Sequence, residues 1–274
     1  MIKLRTILFT YTIFLLIGCS NKPSAPINKK DSTTITAVPK PGDPMKLDSS
    51  KRYIYLTWDD SPQPPGTTVS KSVFHQQGVK ATFFVVGGNQ IGPLKTRIVD
   101  SLRNAYPEFL MANHSFSHAN INGKDNYSLF YQRTDSAVED FLKNERALQV
   151  GVKIIRLPGN NSWAGKGKLQ GPKSTLAVCK KLDLLGYKII GWDVEWNQYK
   201  AAPKESVDEM VKKVNEKFEN GYTFEQNCVV ILSHDRLFAK PQYADSLTKF
   251  ISILKQDPRN VFETLDHYPL VMRK

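Results

Sequence analysis

Five groups of side chains carry the chemistry of this chain: Asp59-Asp60, His114 with His118, Arg156, Asp193 with Glu195, and His234. His114 and His118 are four residues apart, a spacing that on a helical turn sets both rings on one face within reach of one metal ion. A carboxylate from another segment completes three protein ligands. Three ligands with an open fourth position are the pattern of a catalytic zinc site, which acidifies bound water toward a pKa of about 7. A hydrogen-bonded pair at a surface turn has the same spacing, so the histidines need the Asp pair to weigh as a metal site. Of Asp59 and Asp60, one can ligate while the other takes a proton; a capping pair before Ser61-Pro62 is the plainer alternative. Arg156 is a natural partner to hold such a carboxylate, or else a surface ion pair. His234, after Val229-Val230-Ile231-Leu232, is placed as a general acid rather than a core histidine. Asp193 or Glu195 can bond its second ring nitrogen, and the sequence leaves that choice open. Asp235 reads as the cap of the next helix.

The elements that must position these groups alternate. Apolar runs at Tyr53–Trp58, Lys80–Val86, Phe109–Ala112, Lys153–Leu157, Tyr187–Trp192 and Cys228–Leu232 are continuous, as in strands buried on both faces. Amphipathic stretches at Thr68–Gln76, Leu94–Asn104, Phe130–Gln149, Lys173–Leu185, Lys204–Glu219 and Tyr243–Lys255 separate them. Such alternation implies a parallel sheet, open or closed into a barrel. Parallel α/β folds put their functional groups at the carboxyl ends of strands, which is where the five groups fall. Cys179 and Cys228 are expected in the core rather than in a bridge, and His75 and His267 at the surface.

Five motifs in order resemble the polysaccharide deacetylase family, also called the NodB homology domain or carbohydrate esterase family 4. They are Thr57-Trp58-Asp59-Asp60-Ser61-Pro62, His114-Ser115-Phe116-Ser117-His118, Arg156-Leu157-Pro158, Trp192-Asp193-Val194-Glu195-Trp196 and Leu232-Ser233-His234. The resemblance implies a distorted (β/α) barrel and a metal-dependent hydrolase that removes acetyl groups from N-acetylated amino sugars of a polysaccharide or oligosaccharide. Peptidoglycan, a chitin-like oligomer and an exopolysaccharide all fit as the glycan that the resemblance implies. By the same resemblance Asp59 is similar to the catalytic base, Arg156 to the residue that orients it, and Asp60, His114 and His118 to ligands of zinc, with cobalt or nickel as alternatives. His234 is similar to the acid that protonates the departing amine. The resemblance also implies that the Gly159 N–H shares the oxyanion and that Leu232 lines the acetyl slot. Trp192, Trp196 and Trp163 are candidate sugar-binding residues, with core packing the alternative. Three departures stand out: in the first motif Trp58 replaces Phe and Ser61 replaces Gly, the latter expected to alter the turn; Gly159 stands where the family often has an aromatic; and the fourth motif is compressed around Asp193 and Glu195. An O-acetyl esterase acting on acetylated xylan, or a sugar-binding lipoprotein with a degenerate site, is the alternative function.

Composition bounds the rest. The 274 residues hold 38 Lys+Arg against 26 Asp+Glu, 41% apolar residues and 3 Cys. That excludes a disordered chain and a disulfide scaffold. Lys3 and Arg5 precede an apolar run, Thr6 to Gly18, too short to span a bilayer. With Leu16-Ile17-Gly18-Cys19 it resembles a bacterial lipoprotein signal at 1–18. A Pro-rich tether at 19–45 and one catalytic domain at 46–274 follow. The formal charge of +12 includes six basic and two acidic residues before position 46, so the domain keeps about +8 without a dense basic block. The expected protein is an exported monomeric lipoprotein of the cell envelope, at the outer membrane. It is held by its lipid anchor alone, with an acetylated glycan and no nucleic acid as partner.

Overall fold

The computed structural model describes residues 45–149, 151–200 and 202–273. The expected signal peptide at 1–18, the acylated Cys19 and the tether as far as Pro44 lie outside the described residues. In chain order come β1 (Arg52–Ser61), α1 (Gly66–Gln77), β2 (Ala81–Val85), α2 (Pro93–Arg103) and β3 (Phe109–Asn113). Then follow α3 (Thr134–Leu148), β4 (Ile154–Ile155), α4 (Leu176–Leu184), β5 (Lys188–Ile189) and β6 (Val194–Glu195). The domain continues with α5 (Val207–Asn220), β7 (Cys228–His234), α6 (Pro241–Leu254) and β8 (Asn260–Phe262).

The continuous apolar runs become strands with both faces covered, as parallel strands must be. They lie side by side in the order β6-β7-β1-β2-β3-β4-β5, each pair parallel. The two end strands, β5 and β6, belong to one bent segment. Lys188 and Ile190 donate their N–H to the carbonyls of Lys153 and Ile155, and Asp193 and Trp196 donate theirs to Val230 and Leu232. The segment therefore starts on one end of the sheet and finishes on the other, and the sheet curls into a distorted (β/α) barrel. A hairpin, Trp163–Gly165 with Lys168–Gln170, is antiparallel to β5. β8 pairs with the first residues of β1.

Alternation along β1 sorts two cores. Ile54, Leu56 and Trp58 pack outward with Phe83, Ile231 and the helix residues Phe74, Val99, Met210 and Phe250. Tyr53 and Tyr55 pack on the other face with Phe84, Leu110, Ile154 and Val230, inside the barrel. A fully buried side chain of this size gains roughly 1.5–3 kcal/mol over an exposed one. The parity carries on to the functional end: Thr57 and Asp59 continue the inner row.

Boundaries differ from the sequence expectation in instructive ways. The run Tyr187–Trp192 is a strand only at Lys188–Ile189, because the chain changes partners after Ile190. The helix expected over Phe130–Gln149 is split into Tyr127–Gln132 and α3, with Arg133 leaving the helical region at ψ 64°. Gly186, at φ 86°, ends α4 as expected. Cys179 and Cys228 are buried free thiols. His75 is exposed, but His267 is not: its side chain is 15% exposed, with Nδ1 3.1 Å from Glu263. Among the described residues, no helix is long and apolar enough to cross a membrane.

Candidate active site

The strand registers bring the site together. Asp59 on β1 lies directly beside His234 on β7. Val85 on β2 pairs with Asn113 on β3, and Asn113 with Ile155 on β4, so His114 and Arg156 are the next residues beyond one edge. The backbone ladder extends through both, His114 N–H to Val85 and Arg156 N–H to Asn113.

Asp59 points inward by strand parity. Asp60 would point outward, but the β1–β2 register breaks between Trp58 and Ser61, and Asp60 adopts φ 72°. That left-handed turn returns its carboxylate to the histidines. Side-chain oxygen and nitrogen atoms of Asp60, His114 and His118 all lie within 4.8 Å of one another. His118 Nε2 is 3.1 Å and His114 Nε2 3.6 Å from Asp60 Oδ1. The His pair is not helical, contrary to the spacing argument. Ser115 and His118 have φ 68° and 55°, and the loop is held by its own polar groups. Asp140 Oδ1 accepts from Phe116 and Ser117 N–H, Asn113 Oδ1 from Ser115 N–H, and Ser115 Oγ from His118 N–H.

These three residues fit a divalent cation. Asp60 Oδ1 is buried and has no hydrogen-bond partner, although it faces two imidazole nitrogens. His114 Nδ1 lies 3.0 Å from the Arg156 carbonyl, which fixes the proton on Nδ1 and leaves the Nε2 lone pair free. Burial pushes the His114 pKa down, against Asp59, so the ring is held neutral as a ligand must be. Burial opposes ionisation of Asp60 too, but His118 and His114 outweigh it and hold this carboxyl well below its usual range. His118 also loses by burial and gains more from Asp60 and Asp125, so its pKa is raised.

Arg156 is fully buried beneath Asp59. Its Nη1 donates to Asp59 Oδ1 at 2.9 Å and to Thr57 Oγ1 at 2.7 Å. Nη2 and Nε donate to the carbonyls of Gly191 and Ile190, and Phe84 lies under the guanidinium at 4.3 Å. Every face is occupied, so the Asp59 carboxylate is fixed in direction.

A cavity of about 210 Å³ opens above these groups. Asp59, Asp60, His114, His118, His234, Glu195, Gly159, Leu232 and Trp192 all line it. Three candidates stay out. Asp193 spends both carboxylate oxygens on the N–H groups of Phe224 and Val230; burial raises its pKa to about 6. Trp196 is fully buried between Phe238 and Phe250, its Nε1 donating to the Glu205 carbonyl. Trp163 is 3% exposed and stacked on Phe224 at 4.2 Å. Neither indole offers a free face to a sugar in the cavity. Glu195, in register with Leu232 two residues before His234, is the carboxylate of the fourth motif that reaches the same space.

Residues 46–160 match the family model for polysaccharide deacetylase. A Streptococcus mutans CE4 esterase is 26% identical over 78% of this chain and 86% of its own, with a TM-score of 0.58. The match over residues 46–160 and the shared fold support the polysaccharide deacetylase family for this chain. A peptidoglycan N-acetylglucosamine deacetylase of solved structure is also 26% identical, over 80% of this chain and 88% of its own, with a TM-score of 0.52. A chitooligosaccharide deacetylase of Rhizobium leguminosarum bv. trifolii is 36% identical over 81 residues, which is 30% of this chain and 36% of that protein. The chain thus matches about a third of the length of that curated relative.

In this site the sequence reading missed Arg236 and Tyr127. Arg236 Nη1 donates to Asp60 Oδ2 at 2.9 Å, and its side chain lines the cavity. Its place two residues after His234 was a usable signal. Tyr127 lines the cavity from a short helix, with no motif to mark it.

Proposed function

We propose that the protein is a divalent-metal-dependent N-deacetylase acting on acetylated amino sugars of a polysaccharide or oligosaccharide. The observation that carries this reading is the juxtaposition of Asp60, His114 and His118 with the Asp59–Arg156 pair and His234 around one small cavity. Zinc is the ion proposed, since one carboxylate and two imidazoles suit it. A divalent ion held by Asp60, His114 and His118 supplies Lewis acidity, polarising an acetyl carbonyl and acidifying water.

The chain's own groups do the remaining work. Asp59, aimed by Arg156, accepts a proton from the attacking water. Its neighbour in register, His234, donates a proton to the amine nitrogen as the carbon–nitrogen bond breaks. The Gly159 N–H is proposed as the donor toward the developing oxyanion. Leu232, 2% exposed, and Leu157 both line the cavity and offer apolar surface suited to a methyl group. Glu195 is the proposed partner of His234, because it lines the same cavity while Asp193 is turned away toward the Phe224 and Val230 N–H groups. The curated relative's name, a chitooligosaccharide deacetylase, and that of the peptidoglycan N-acetylglucosamine deacetylase support an acetylated glucosamine polymer as substrate. The lipoprotein signal and an envelope location are part of the same proposal, resting on the Leu16–Cys19 sequence.

The test is acetate release from N-acetylglucosamine oligomers by the purified protein, with and without a chelator. Release that a chelator abolishes and zinc restores is expected. Release that survives full removal of metal overturns the reading.

A further inference from the structure

Gly159 and Tyr127 form a matched pair that bears on which part of the substrate the site holds. The family resemblance expects an aromatic at position 159, and the chain has glycine there. Gly159 has φ 65°, and a Cβ built on it would lie 2.8–2.9 Å from Cζ, Cε1 and Cε2 of Tyr127. Three ring carbons at nearly equal distance mean that the ring lies against the Gly159 backbone. The space a side chain at 159 would fill is taken by a tyrosine from a different segment.

We propose that Tyr127 is a sugar-binding residue of this site, an aromatic wall delivered by the hairpin after His118 in place of the missing one at 159. The inference rests on the deacetylase reading and names a residue that positions its substrate.

The sequence explains why the ring stays there. Asn122 and Gly123 have φ 54° and 84°, which closes a two-residue hairpin turn. That turn sets Asn120 opposite Asp125 and Ile121 opposite Lys124. Asn126 then donates its N–H to the Ala119 carbonyl, and its side chain caps the next helix by accepting from Leu129 N–H. Tyr127 is therefore the first residue of a capped helix fixed at both sides. Its ring stands edge-on to His118, with centroids 6.0 Å apart at 83°. It lines the same cavity as His234, Leu232 and Trp192. Leu232 and Leu157 offer apolar surface, and Tyr127 and Trp192 are the aromatic side chains lining the cavity. A pyranose ring carries apolar C–H faces and peripheral hydroxyls, which suits a tyrosine with an apolar body and a polar tip. The ligand class is thus the sugar ring bearing the acetamido group, not the acetyl group itself.

The experiment compares Tyr127→Phe and Tyr127→Ala with the unaltered protein on N-acetylglucosamine oligomers, with zinc affinity measured in parallel by competition with a chromogenic chelator. Tyr127→Ala is expected to raise KM about tenfold, to change kcat far less, and to leave zinc affinity within twofold. Tyr127→Phe keeps the ring and is expected to stay within about threefold of the unaltered KM. Three outcomes overturn the proposal: a tenfold loss of zinc affinity in Tyr127→Ala, a fall in kcat with KM unchanged, or a Phe variant as poor as Ala. The first makes Tyr127 a support for His118, and the third reduces its part to the hydroxyl. Failure of the unaltered protein to release acetate is a separate result that bears on the deacetylase reading alone.

Discussion

Removing the Arg156 guanidinium tests how the base is held. Arg156 has no solvent-exposed surface, and it spends Nη1 on Asp59 and Thr57, Nη2 on Gly191 and Nε on Ile190. Arg156→Met keeps much of the volume and leaves Asp59, 3% exposed, as a buried carboxylate without its partner. Breaking a buried pair from one side costs roughly 3–5 kcal/mol. Two carbonyls also lose a donor, at about 1 kcal/mol or more each. For a domain of this size 1 kcal/mol moves Tm by about 2–4 °C, so Arg156→Met should lower Tm by on the order of 10 °C in chelator. The charge argument makes a sharper demand on the double variant. Asp59→Asn removes the stranded charge, so Arg156→Met/Asp59→Asn should recover part of the loss and show a coupling of about 1 kcal/mol or more. Arg156→Lys should behave more like Met than like Arg, because an ammonium cannot serve four acceptors spread across a planar fork. Thermal unfolding followed by circular dichroism measures the parent, the three single variants and the double variant. A single variant within 2 °C of the parent, or a double variant that is merely additive, would refute the claim that Arg156 acts by holding a buried Asp59.

Further predictions address the other groups. Asp60→Ala and His118→Ala should each reduce bound zinc from one ion per chain toward none by elemental analysis; unchanged metal content removes that residue from the ligand set. His234→Ala should slow acetamide cleavage by about 10²–10⁴-fold and acetyl ester cleavage much less, because an alkoxide leaves with less help than an amine. Glu195→Gln should lower kcat on amide substrates more than Asp193→Asn does, and the reverse order returns the tuning role to Asp193. Burial pushes the Asp235 carboxyl up to about 7, against the hydroxyls of Ser61 and Thr67 that donate to it. The folded state then binds a proton that the unfolded state has released, so this group's contribution falls as pH rises from about 4 through 7. Asp235→Asn should gain stability over the parent across that window, by a few kcal/mol at most, in urea unfolding at pH 5 to 8. A pH-independent difference excludes the effect.

The legible part of the site was the part set by strands. Continuous apolar runs predicted the parallel sheet, and the rule that function sits at strand carboxyl ends led to Asp59, His114, Arg156 and His234. What the sequence hid was set by partner choice. Periodicity cannot say that the chain leaves β4 after Ile190 and joins β7 at Asp193, yet that switch turns Asp193 toward Val230 and Phe224 and leaves Glu195 at the cavity. Trp196 and Trp163 were ambiguous for the same reason. An indole beside a motif reads alike whether it faces a sugar or a second aromatic, and here Phe250 and Phe224 take those faces. Spacing alone also misread the His pair, since an i, i+4 interval brings two rings together on a left-handed loop as well as on a helix.

Two departures from the family motifs have one explanation in where the backbone turns. Ser61 replaces a glycine, which suggested an altered turn. The left-handed residue, however, is Asp60 at φ 72°, while Ser61 still pairs with Val85 in the sheet. A side chain at 61 is therefore free of strain, and Ser61 Oγ donates to Asp235 at 2.6 Å. The strain falls on the ligand side instead: Asp60, Ser115, His118 and Ala119 are all non-glycine residues in the left-handed region. Each costs about 1–2 kcal/mol against a relaxed backbone, and neither Asp60 nor His118 can become glycine without losing the side chain it brings to the cluster. Position 159 shows the opposite arrangement. Its φ of 65° favours glycine, and a Cβ there would meet the ring of Tyr127. Position 61, in a strand, leaves room for a side chain, whereas at 159 the ring of Tyr127 fills the place a Cβ would take.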